Sequence, residues 1–236
     1  LVRRRKDDEE IKWLRSAAQL GDEALGRIQA MIKPGITEKQ LANELAYAMA
    51  DLGSERLSFE TIVASGLRGA LPHGVPTNKN LSAGDMVTID FGCVFGGYHS
   101  DMTRTFILGQ PDKLQSQRYQ LVLEAQMKAI EAIKPGKNTR EIDQAARDLI
   151  KQAGYGDYFG HGLGHSVGLE IHEDPRFSPL SEAVVLEPGM VLTVEPGIYL
   201  PQWGGLRIED MVVITENGYD ILTKFPKALV DMTIIC

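Results

Sequence analysis

The sequence predicts an α+β chain made of two similar halves that face each other about an approximate twofold axis, with a crevice between them. Three observations carry this expectation. Apolar residues recur at helical spacing near the start of each half, and alternating strand patterns follow them. The same short phrases also return about a hundred residues apart: IKPG at 32–35 and at 133–136, and LSAGDMVTIDFG at 81–92 against LEPGMVLTVEPG at 186–197. That period is too long for a solenoid, whose units run about 20–50 residues.

Taken in order, RRRK at 3–6 followed by DDEE at 7–10 reads as a solvated helix entry whose charges cancel. Ile11, Leu14, Ala18, Gly21, Leu25, Ile28 and Ile32 then occupy one helical face, and Lys33, Pro34 and Gly35 end the run. Thr37 and Gln40 have capping-box spacing, and Leu41, Leu45, Ala48 and Leu52 continue a second stripe. In each half a histidine with a proline three residues on precedes a strand: HGVP at 73–76 and HEDP at 172–175.

In MVTIDFG, alternation places Met86, Thr88 and Asp90 on one face and Val87, Ile89 and Phe91 on the other. The paired glycines of CVFGGYH mark a hairpin, and the returning strand aligns Asp101, Thr103 and Thr105. Without a bulge, Asp90 and Asp101 are direct cross-strand partners, with Cβ atoms roughly 4.5–5.5 Å apart. Two carboxylates that close repel unless a cation or a proton intervenes. Glu195 in VLTVEPG and Glu209 in GLRIEDMVVI lie in apolar, β-branched runs that do not normally accept a charge. Arg207 shares a face with Glu209, which also fits an Arg–Glu surface pair. Four carboxylates and one imidazole make a hard, oxygen-rich donor set suited to Mn²⁺, Co²⁺ or Fe²⁺, with Zn²⁺ an alternative. Four negative charges balance two divalent ions, which in two-metal sites lie about 3.5–4 Å apart. Three of the five histidines, His161, His165 and His172, fall in GHGLGHSVGLEIHEDP. Glycines at 160, 162, 164 and 168 disfavour a helix there, so the segment is expected to run extended or looped past the crevice.

Composition narrows the classes. At 236 residues, 43% hydrophobic and 24% charged, the chain is ordinary for one sizeable globular domain, here 1–236 with a pseudo-repeat over roughly 7–110 and 111–225. The net charge of −7 argues against a nucleic-acid partner, and no apolar run approaches the ~20 residues of a membrane helix. Cys93 and Cys236 form no CxxC pair, Cys93 reads as a small packed residue, and a reducing cytoplasm is the expected location. The chain starts at Leu1 and enters a charged helix at once, which reads as a piece of a longer protein with an upstream domain.

Six phrases in order, PHG at 72–74, IDFG at 89–92, SDMTRT at 100–105, GHGLGHSVGLEIHE at 160–173, TVEPG at 193–197 and RIED at 207–210, resemble the pita-bread metallopeptidases. That family holds methionine aminopeptidase, Xaa-Pro aminopeptidase and Xaa-Pro dipeptidase (prolidase). The resemblance implies a pita-bread fold, with antiparallel strands curved around a central metal cleft and helices outside. It also implies two divalent ions, Mn²⁺ first, held by Asp90, Asp101, His165, Glu195 and Glu209, with Asp101 and Glu209 bridging. It makes Glu195 the proton shuttle for a metal-bridging hydroxide, and gives His73 and His172 to the scissile amide and its developing charge. His161 and Arg207 join His73 and His172 in binding substrate. His161 and the opening RRRKDDEEIKWLRSAAQL are similar to the Xaa-Pro branch, which implies a peptide with a free N-terminus and proline or a small residue second. A homodimer of the full-length protein is implied as well. The alternatives are a methionine aminopeptidase, a metal-free creatinase-like hydrolase, and a silent peptide-binding module of the same fold.

Overall fold

The computed structural model describes residues 2–235, so Leu1 and Cys236 lie outside the description. Two helix pairs flank the strands: α1 (Asp8–Ile28) with α2 (Glu38–Asp51), and α3 (Lys113–Ala132) with α4 (Thr139–Gln152). Each begins with a reciprocal capping box, from Asp7 with Glu10, Thr37 with Gln40, Asp112 with Gln115 and Asn138 with Glu141. These boxes satisfy backbone N–H groups that a helix start otherwise leaves open. Of the anticipated first stripe, Leu14, Ala18, Leu25 and Ile28 are buried in α1, and Ile32 is buried just beyond it. The helix entry at Asp7 and the exposure of Arg3 and Arg5 are as expected, but Lys6 departs from the solvated reading: it is only 5% exposed. Its ammonium reaches Glu173 and Ser166, residues far along the chain that local charge patterning does not reveal.

The strands are β1 (Arg56–Leu57), β2 (Ile62–Ser65), β3 (Met86–Phe91), β4 (Cys93–Phe95), β5 (Tyr98–His99) and β6 (Met102–Leu108) in the first part. There follow β7 (Gly164–Ser166), β8 (Glu173–Phe177), β9 (Val191–Val194), β10 (Gly197–Leu200), β11 (Gly204–Arg207), β12 (Asp210–Ile214), β13 (Tyr219–Ile221) and β14 (Thr233–Ile234). One sheet has the order β14-β6-β3-β2 and another β13-β12-β9-β7-β8, accompanied by a β1-β4-β5 ribbon and a β10-β11 ribbon. All pairings are antiparallel except β14 with β6. Each large sheet therefore carries an antiparallel triplet, β2-β3-β6 and β7-β9-β12, preceded in the chain by a helix pair. Val87, Ile89 and Phe91 enter the core as alternation requires, and Cys93 is fully buried there. Burial pushes its thiol up to about 11, which suits a packed residue rather than a nucleophile.

The hairpin register differs from expectation. Asp90 pairs with Thr103, not Asp101, because Gly96 and Gly97 both take positive φ and form the two-residue turn. That turn centre lies one residue later than the midpoint of 90 and 101, so the pairing moves by two. Gly92 leaves room for the backbone just before Asp101: a Cβ there would fall 1.8 Å from the Ser100 carbonyl oxygen. Asp101 thus lies at the break between β5 and β6. The two glutamates behave alike. Glu195 lies between β9 and β10, and Glu209 between β11 and β12, not inside strands. With Val194 opposite Asp210 and Gly197 opposite Arg207, the two acids face each other across the break.

The glycine-rich segment is non-helical, with β7 and the start of β8 its regular parts. Gly164 lets β7 approach β9, since a Cβ would lie 2.0 Å from the Thr193 carbonyl oxygen. Gly164→Ala is expected to destabilise the fold by about 3 kcal/mol, whereas Gly160→Ala, with nothing within 4 Å, is expected to be near neutral. Thermal unfolding of both variants checks this, and equal melting temperatures would remove the steric argument.

Candidate metal centre

Four strand ends and the β7 segment bring five donor residues to one cleft of about 620 Å³. Ligand atoms of Asp101, His165 and Glu209, all buried, lie within 4.8 Å of one another. Glu195 joins from the side, its Oε1 3.5 Å from His165 Nε2, and Asp101 Oδ2 stands at the same 3.5 Å. His165 Nδ1 lies 3.2 Å from the Ser166 carbonyl oxygen, which can only accept. The ring proton therefore sits on Nδ1, and the Nε2 lone pair faces two carboxylates. Such an arrangement needs a cation between the groups or protons on the acids. Asp90 lines the same cleft, and its Oδ1 is buried without a hydrogen-bond partner. An orphaned carboxylate oxygen beside a convergent oxygen and imidazole set fits a divalent metal.

Threonines hold the acids in place. Thr103 Oγ1 donates to Glu209 Oε2 at 2.6 Å, and Thr193 Oγ1 donates to Glu195 Oε1 at 3.1 Å while accepting from the His165 amide. Thr193 was legible in principle, since it stands two residues before Glu195 in an alternating run. Behind the acids, Arg104 forms a fully buried ion pair with Asp210 and donates to the carbonyls of Thr103 and Glu209. Burial alone would raise the Asp210 carboxyl, but Arg104 and Lys227 overcome it and hold the pKa down at about 2. The centre itself is opposite in sign. Burial, then the charge of Glu209, pushes Asp101 well above the usual carboxylate range; burial, then Glu195, does the same to Glu209. Burial lifts Glu195 to about 7. Burial, with His172 nearby, drops His165 to about 3, so its imidazole stays neutral. A divalent ion would reverse the penalty on every acid.

Arg207 does not pair with Glu209 at the surface. It is 3% exposed, and its guanidinium binds Asp90 Oδ2 at 2.6 Å, Thr103 Oγ1, Tyr199 Oη and the Pro72 carbonyl. The pairing crosses 117 residues, so strand alternation around 207–209 carries no trace of it. Tyr199 is a further residue that the sequence reading did not single out. Its hydroxyl accepts from Arg207 and lies 2.9 Å from His161 Nε2, while His161 Nδ1 faces the Gly162 carbonyl. Nδ1 therefore donates to that carbonyl, and Nε2 accepts from Tyr199. Burial lowers His161 to about 4 and keeps it neutral. The histidines thus sort by burial: His165 is deep, His161 half-buried, and His73 and His172 exposed at the cleft. The rings of His165 and His172 meet edge to face with centroids 4.4 Å apart.

The sequence model of metallopeptidase family M24 matches residues 12–216, most of the chain and every residue of this centre. The chain belongs to metallopeptidase family M24. Among relatives, this M24 chain is 52% identical over 225 residues to the uncharacterized peptidase YqhT of Bacillus subtilis (strain 168), covering 95% of this chain and 64% of that protein. It is 50% identical over 224 residues to the Xaa-Pro dipeptidase of Pyrococcus furiosus, with the same coverages of 95% and 64%. The solved Xaa-Pro dipeptidase from Bacillus anthracis superposes with a TM-score of 0.96 at 48% identity, covering 99% of this chain and 65% of that one. The pita-bread fold expected from the motifs is therefore the fold of this chain. The M24 chain spans 64% of the length of the curated relatives it matches. No helix among the described residues is long and apolar enough to cross a membrane.

Proposed function

We propose that this chain forms the catalytic part of a two-metal peptidase that removes the N-terminal residue of peptides with proline, or a small residue, in the second position. The observation that carries the reading is the buried convergence of Asp101, His165 and Glu209 within 4.8 Å, with Glu195 beside them and an unpartnered Asp90 oxygen in the same cleft. The dipeptidase relatives support the Xaa-Pro branch.

In this reading Asp90, Asp101, His165, Glu195 and Glu209 hold two divalent ions. Of these, Asp101 and Glu209 would serve both ions, and His165 and Glu195 would serve one. The oxygen-rich set favours Mn²⁺, with Co²⁺, Fe²⁺ and Zn²⁺ as alternatives. Bound ions supply Lewis-acid polarisation of the scissile carbonyl and lower the pKa of an attacking water. Glu195, beside His165 in the cleft, would take the proton of that water and return it to the leaving nitrogen. His73 and His172, exposed in the cleft, donate to oxygen as charge develops there. Arg207 fixes Asp90 and, through Tyr199, orients His161 toward the substrate pocket. Phe59, Ile62, Val75 and Ile171 give that cleft apolar wall. A proline in second position offers no backbone N–H, so such a wall, rather than a backbone acceptor, suits its ring. The full-length protein is proposed to act as a cytoplasmic homodimer; the unpaired Cys93 agrees with a reducing compartment.

A panel of dipeptides, longer Xaa-Pro peptides and Met-Ala peptides, incubated with the full-length protein and Mn²⁺ or Co²⁺, tests the reading. Cleavage of Xaa-Pro peptides is expected. Cleavage of Met-Ala peptides alone would move the chain to the methionine aminopeptidase branch, and none at all would leave a silent binding module.

A further inference from the structure

Lys6 stands two residues before α1 and far in sequence from the histidine segment, yet its ammonium is buried beneath it. Arg5 Nε donates to the Pro188 carbonyl at 3.1 Å and the Lys6 amide to Gly189 at 2.7 Å, which seats this segment on the turn before β9. Gly189 adopts a φ of +86°, and a Cβ there would lie 2.6 Å from the Lys6 carbonyl oxygen, so the seat is close. From it, Nζ donates to Ser166 Oγ and to Glu173 Oε2, each at 3.1 Å. The Lys6 and Glu173 side chains are 2% and 6% exposed. Ser166 Oγ passes its own proton to the Val191 carbonyl, and Glu173 Oε1 accepts from the Glu170 amide, so the clamp leaves no acceptor idle.

Ser166 and Glu173 are cross-strand partners in β7 and β8, and the ladder is irregular between His165 and Ser166. Each clamped residue directly follows one of the two touching imidazoles, His165 and His172. We propose that Lys6 is a positioning residue that fixes the irregular step between β7 and β8, and so holds His165 and His172 edge to face in front of the acids. The ammonium bridges the two strands where the ladder does not, and a buried bridge between a cation and a carboxylate tolerates little movement. The inference rests on the reading of His165 as a metal ligand.

Lys6→Met keeps the length of the stem and removes the donor. In the metal-free protein, imidazole ¹H–¹⁵N spectra should show the His165 and His172 ring signals moved and broadened, with those of His73, His99 and His161 in place. A general loss of structure would move all five. Co²⁺ affinity measured by calorimetry should fall by about tenfold, the lower end of what residues supporting metal ligands contribute. Glu173→Gln should reproduce both effects, and the double variant should add little to either single one. If Lys6→Met does not fold, Glu173→Gln carries the same test. Unmoved ring signals with wild-type Co²⁺ affinity, or fully additive single variants, would overturn the proposal. Failure of the unaltered protein to bind Co²⁺ defeats the metal reading instead, while the ring signals still decide the role of Lys6.

Discussion

Asp101→Ala is expected to abolish metal-dependent turnover while leaving the protein folded. The residue is 5% exposed, and it shares the tightest donor group with His165 and Glu209. Its loss removes a proposed shared ligand, so metal stoichiometry should fall and activity should drop by at least about 10²–10³-fold, the scale of one lost preorganised electrostatic contact. Stability should move the other way. In the metal-free protein Asp101 is one of several acids whose burial and mutual repulsion drive them toward protonation. Deleting one relieves repulsion, and the small cavity left by the carboxyl group offsets only part of that relief. Metal analysis of the purified variant, activity with an Xaa-Pro peptide, and calorimetric unfolding after chelation separate these effects. Full turnover would falsify the shared-ligand role.

Metal removal is expected to give the protein an unusual dependence on pH. An acid whose folded pKa exceeds its unfolded value binds its proton more tightly in the folded state. Its contribution is then complete below the unfolded value and is lost as pH rises through the folded one. For Glu195 that window runs from 4.5 to about 7, and Asp101 and Glu209 extend the loss further upward. His165 and His161 act oppositely. Their pKa values fall from 6.5 to about 3 and about 4, so their contribution is present above 6.5 and declines as pH falls toward those values. Below 6.5 the two trends oppose each other; above it only the acids remain. The chelated protein should therefore lose stability from near neutrality upward. Comparison with Glu195→Gln isolates one group, and the wild type should lose up to about 3 kcal/mol relative to it across the window. Mn²⁺ should invert the trend above neutrality, because ions bind the deprotonated acids. Parallel stability curves for the two chelated proteins would sink this account, and a metal-loaded melting temperature that falls with the chelated one would contradict the site.

Much of the candidate site was legible because its signals are local. Thr37 and Gln40 announce a helix start, Lys33, Pro34 and Gly35 a stop, and Val87, Ile89 and Phe91 a buried face, each within a few bonds of its cause. The glycines around His165 exclude a helix for the same reason, and one of them, Gly164, proves to be required by a backbone 2.0 Å from its absent Cβ. The hairpin shows where such reasoning stops. The sequence displayed both glycines of the turn, but which peptide stood at its centre depended on their joint positive φ and on the space at Gly92.

By itself, the sequence determined the residue types of the centre, the helix pairs and the strands that carry them, because periodicity governs which side chains share a face of one element. The tertiary structure decided how those faces meet. It drew Arg207 to Asp90 across 117 residues, buried Lys6 against Glu173, linked His161 to Tyr199, and set Asp101, Glu195 and Glu209 at breaks where the ribbons change sheets. The Arg207–Asp90 and Lys6–Glu173 contacts join the first part of the chain to the second, and the His161–Tyr199 contact joins two separate segments of the second. No local pattern encodes them, since neither partner's own neighbours change when the other is brought near.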